Sequence, residues 1–118
     1  MKLRLHSNTL RLRLSQSEVS RLAETGRVEE SIQFAAGRAL SYAIESGSAP
    51  EISATFDGSR IHVSLPANTA KSWIQGDQTG VEGQSQTLRV LIEKDFVCLH
   101  RRGVEDADAF PNPLATKS

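Results

Sequence analysis

Cys98, His100, Glu105, Asp106 and Asp108 gather a thiol, an imidazole and three carboxylates within eleven residues of chain. On a strand, positions 98 and 100 point to the same side, so a soft sulfur and a ring nitrogen can reach one metal while the following turn supplies oxygen. The candidate metal set is Cys98, His100, Asp106 and Asp108. The same residues form a thiol–imidazole nucleophile pair, with Asp106 or Asp108 as orienter, only in favourable rotamers, because alternate residues on a strand sit about 7 Å apart. No oxyanion-hole signature accompanies them, so no catalytic residue is assigned and no cofactor is called for. In the plainer reading Cys98 packs as a small hydrophobe beside Phe96, His100 is exposed and the acids are solvated. Cys98 is the single cysteine, which excludes an internal disulfide and any multi-cysteine zinc site, and His6 and His62 fall on separate predicted strands.

The second cluster is cationic. Lys2, Arg4, Arg11 and Arg13 alternate with leucine at the start of the chain, with His6 at the end of the ladder. Like charges facing one another across a hairpin repel unless something acidic covers them. One reading is an anionic ligand or partner lying on that face. The other is internal pairing with Glu93 and Asp95, or with Glu105, Asp106 and Asp108. The formal net charge is zero, although residues 1–27 carry six cations against Glu18 and Glu24. That balance, and the scarcity of aromatic residues among the cations, disfavours nucleic acid as the partner. A glycine pattern from Gly76 through Gly80 to Gly83 lacks the lysine of a phosphate-binding loop and follows a helix rather than a strand.

The elements that must position these residues follow from periodicity. Leu3 and Leu5, then Leu10, Leu12 and Leu14, recur at every second residue around Ser7–Thr9 and predict an opening hairpin. Ser15 and Glu18 have capping-box spacing, and Gly26 stops a helix over about residues 16–25. Val28, Ile32 and Phe34, then Leu40, Tyr42 and Ile44, predict a second hairpin. Ile52, Ala54 and Phe56, the Asp57-Gly58 turn, and Ile61, Val63 and Leu65 predict a third. Pro66 opens a second helix carrying Ala67, Ala70, Trp73 and Ile74, over about residues 66–75.

Residues 76–86 read as an exposed, mobile loop. A long last strand is expected from Thr87 to about His100, with a bulge near Lys94 where its phase breaks. No repeat of solenoid spacing is visible. The expectation is an α+β domain of mainly antiparallel hairpins, about six or seven strands, with two short helices covering one face or end of the sheet. At 118 residues it is a single domain over residues 1–105, with an irregular tail over 106–118.

The segments LRLHSNTLRLRLSQSEV, RVEESIQF and IEKDFVCLHRRGVEDADAFPNP resemble a family of small bacterial proteins of unknown function. The resemblance spans most of the chain, and Glu93-Lys94-Asp95-Phe96 and Phe110-Pro111-Asn112-Pro113 carry it most specifically. It implies a bacterial cytosolic setting and transfers no site residue. The single cysteine and the lack of a signal-like or membrane-length apolar run point the same way, to the cytoplasm. The leading functional expectation is a non-enzymatic interaction or self-association module, whose partner is a protein or a second copy, with no membrane contact. Its rivals are a metal- or thiol-dependent enzyme at Cys98 and His100, and anion or nucleic-acid binding on the basic hairpin.

Overall fold

Alternating leucines in the first fourteen residues make two strands, β1 (Lys2–His6) and β2 (Thr9–Leu14), joined through Ser7 and Asn8. Both turn residues have positive φ, 47° and 58°, the geometry that matches the twist of a tight hairpin. The computed structural model describes residues 1–95. After β2 the Ser15 hydroxyl accepts from the Glu18 N–H while the Glu18 carboxylate accepts from the Ser15 N–H, which starts α1 (Gln16–Thr25). Gly26, at φ 79°, ends it in the left-handed region.

The remaining elements are β3 (Arg27–Ala35), β4 (Arg38–Gly47), β5 (Ser53–Phe56), β6 (Arg60–Pro66), α2 (Ala67–Gln75), β7 (Gly80–Ser85) and β8 (Leu88–Lys94). Two helices and eight strands therefore stand among the described residues, more strands than the sequence predicts. They form two four-stranded sheets, ordered β1-β2-β8-β7 (sheet A) and β3-β4-β6-β5 (sheet B). Each hairpin is antiparallel, but the central pairs, β2 with β8 and β4 with β6, are parallel. Periodicity identifies strands and hairpins; which hairpin lies beside which is set by long-range packing.

The order conceals a repeat. Leu10, Leu12 and Leu14 of β2 take the places that Ile61, Val63 and Leu65 take in β6, and Leu22 of α1 takes that of Trp73 in α2, a constant displacement of 51 residues (Leu10 to Ile61). The central registers match as well: Leu12 lies beside Ile92 as Val63 lies beside Ile44. Each half is thus β-β-α-β-β, and each helix carries the chain from one sheet to the other. Neither half closes a sheet by itself.

The core lies between the sheets and under the helices. Leu12, Leu14, Ile44, Val63, Leu65, Trp73, Val90 and Ile92 are fully buried. Trp73 donates its indole N–H to the Thr79 carbonyl at 3.2 Å, so its one polar atom is satisfied. Sheet A meets the segment leading into β5 closely at Gly83, where a Cβ would stand 2.6 Å from Ile52 Cβ. At the other end the Met1 amine pairs with Glu18 and Glu30, and its carbonyl accepts a 3.0 Å bond from the Tyr42 hydroxyl.

Three sequence expectations are corrected. Residues 80–85 are not loop but strand β7, an edge in which two glycines and polar residues mask the alternation. The register of β8 on β2 is unbroken from Arg89 to Lys94, and the irregular register falls instead between Gln33 and Ala35. One sheet becomes two. The expected stretch of the last strand beyond Asp95, and the boundary at residue 105, lie outside the described residues.

Candidate functional site

The outward side of sheet A is a grid set by register. Lys2, Arg13 and Glu93 form one row, Arg4, Arg11, Leu91 and Glu82 the next, and His6, Thr9, Arg89 and Gln84 the third. The four ladder cations thus share one face, as alternation requires. Three of them meet carboxylates some eighty or more residues later in the chain, Glu93 on β8 and Asp95 just after it.

Glu93 lies 3.4 Å from both Arg11 and Arg13, and Lys2 pairs with Asp95 at 2.9 Å. Internal pairing therefore accounts for much of the ladder. Arg4 makes no ion pair among the described residues, although it sits directly opposite Arg11. The Arg11 atom that faces Glu93 is its buried Nε, and that 3.4 Å contact is not aligned as a hydrogen bond. Arg89, which sequence reasoning left out of the site, donates to Glu82 at 2.6 Å. That bond holds the Glu82 carboxyl below its ordinary range and the Arg89 guanidinium above its own. Arg4, His6, Thr9, Arg11, Arg89 and Leu91 line a shallow pocket of about 220 Å³.

A different surface lies at the far end of sheet B. The β3–β4 hairpin runs from the Arg27–Glu45 pair to Ala35–Arg38, whereas its counterpart β7–β8 runs only from Gly80–Glu93 to Ser85–Leu88. The extension carries Ile32, opposite Leu40, and Phe34, the extra residue of the bulge. Phe34 is 72% exposed and Ile32 46%. Phe56, on the opposite edge of the same sheet, is 64% exposed. Ser31–Ala35 contains no charge, unlike β1 and β7, which are edge strands carrying Lys2 and Arg4, and Glu82. β5 is kept to four residues. The alternation of β3 was legible in the sequence; that the core ends before Ile32 was not.

Cys98, His100, Glu105, Asp106 and Asp108 lie outside the described residues, as do the metal and thiol readings that rest on them. Among the described residues no group of three histidine, cysteine or acidic side chains is placed to hold a metal, and no helix is long and apolar enough to cross a membrane.

A family model described as a family of unknown function (DUF7009) matches residues 1–114. No curated protein and no solved structure matches the chain.

Proposed function

We propose, from the premise that the chain belongs to the DUF7009 family, which assigns it no activity, that the domain is a non-enzymatic self-association module whose contact is the tip of the β3–β4 hairpin. The observation that carries this reading is the apolar extension itself. Ile32 and Phe34 add nothing to the core, lie on a charge-free stretch of an edge strand, and have no counterpart in the matching hairpin of the second half. Exposed clusters of this kind mark contact surfaces.

The occupant that fits is a second copy. A tip of Ile32, Leu40 and Phe34 is complementary to its own equivalent across a two-fold axis, because apolar surface needs no opposite charge to match it. The bulge at Phe34 interrupts the ladder at the tip, so the contact is side-chain packing rather than extension of the sheet.

Light scattering across a concentration series tests it. The wild-type chain associates with rising concentration, and Phe34→Lys, at a site where the core loses nothing, returns it to the monomer while circular dichroism stays unchanged. A wild-type chain that is monomeric at every concentration sinks the reading.

A further inference from the structure

We propose that the outward face of sheet A, around Arg4, Arg11 and Arg89, is a binding site for a single phosphate-type oxyanion, either free phosphate or the phosphoryl group of a small monoester. The argument begins with an imbalance. Arg4 and Arg11 are direct cross-strand neighbours, and like charges so placed repel. Glu93 serves both Arg11 and Arg13 at 3.4 Å, and Glu82 is engaged by Arg89. The two carboxylates on the grid are therefore committed: the buried Nε of Arg11 has only the 3.4 Å contact with the shared Glu93, short of a hydrogen bond, and Arg4 has no ion pair among the described residues. An oxyanion seated between Arg4 and Arg11 gives Arg4 a counter-charge, adds a second acceptor for Arg11 and removes the repulsion.

The surroundings fit that ligand better than a larger one. The register sets Thr9 and Arg89 in the row beside Arg11 and places His6 at the rim, so hydroxyl, guanidinium and imidazole groups surround a pocket of about 220 Å³ floored in part by Leu91. Guanidinium groups meet phosphoryl oxygens in paired N–H···O contacts. Glu82 and Glu93 bound the patch on the β7–β8 side, which leaves no continuous cationic track across the described residues for a nucleic-acid backbone. Among the described residues no aromatic side chain shares the grid, so bases have nothing there to stack on.

The test is isothermal titration of the full chain with inorganic phosphate and, separately, with methyl phosphate, at constant ionic strength. Saturable binding at one site per chain is expected. Arg4→Gln, an exposed position, should weaken it at least tenfold. Glu93→Gln, which frees Arg11 from its internal partner, should tighten it severalfold. Lys71→Gln, on α2, should leave it unchanged. Tighter binding of methyl phosphate identifies a monoester as the ligand, and equal or weaker binding identifies free phosphate. The proposal is overturned by binding that does not saturate, by equal losses in Arg4→Gln and Lys71→Gln, or by DNA binding whose salt dependence reports many phosphate contacts.

Discussion

Leu22 and Trp73 occupy the same place in the two halves of the chain, each the fully buried anchor of its crossing helix beneath the two sheets. The equivalence is one of position and not of size, since the pair fills a single core. Truncating either one opens a cavity that the surrounding strands cannot close. Leu22→Ala should cost about 2–5 kcal/mol and Trp73→Ala about 3–5 kcal/mol. Urea midpoints, followed by far-ultraviolet circular dichroism, measure both. Two independent transitions in either variant would contradict a shared core.

Gly83 is required by packing rather than by backbone conformation. Its position 2.6 Å from Ile52 Cβ, measured at the Cβ that alanine would add, makes Gly83→Ala an overpacking substitution costing about 1–3 kcal/mol. Adding Ile52→Ala should recover part of that loss, because the two side chains compete for one volume. A double variant that simply sums the two single losses would show that they do not.

The Glu18 carboxylate gives stability a dependence on acid. Burial tends to raise its pKa, but the bonds it accepts from the Met1 amine and the Ser15 N–H outweigh burial and lower it from 4.5 to about 2. A folded-state value below the unfolded one contributes stability that is fully present above pH 4.5 and is lost as pH falls towards 2. The denaturant midpoint should therefore drop across that window. In Glu18→Gln the drop should be smaller, since one of the carboxylates responsible is gone. An unaltered slope would show that other carboxylates carry the effect.

The interlocked order of the strands predicts complementation. β1–β2 pairs with β8, and β3–β4 pairs with β6, so each half lacks the partner of its central strand. Residues 1–49 and 50–118, made separately, should be largely unfolded and should regain strand signal when mixed at equal molarity. Circular dichroism of the mixture against the sum of the parts decides it; a half that folds alone would refute the interlocking.

The sequence by itself determined the local elements. Alternation of Leu10, Leu12 and Leu14, the Ser15–Glu18 box and the Asp57-Gly58 turn are short-range patterns, and a period of two or of 3.6 residues is visible wherever one side is buried. It missed β7, because Gly80 and Gly83 are chosen for what approaches them, and that neighbour, Ile52 for Gly83, is far away in the chain.

Tertiary structure alone decided the rest: two sheets in place of one, the parallel seams, and the company each surface residue keeps. Outward alternation put Arg11 and Glu93 on sheet faces, but only the pairing of β2 with β8 made them neighbours. Likewise Ile32 and Phe34 read as core from their spacing, yet they are exposed and do not pack against the core cluster. Periodicity records which side of a strand is apolar. Where the opposing layer stops, and which strand lies alongside, are properties of contacts between residues distant in sequence, and no local pattern encodes them.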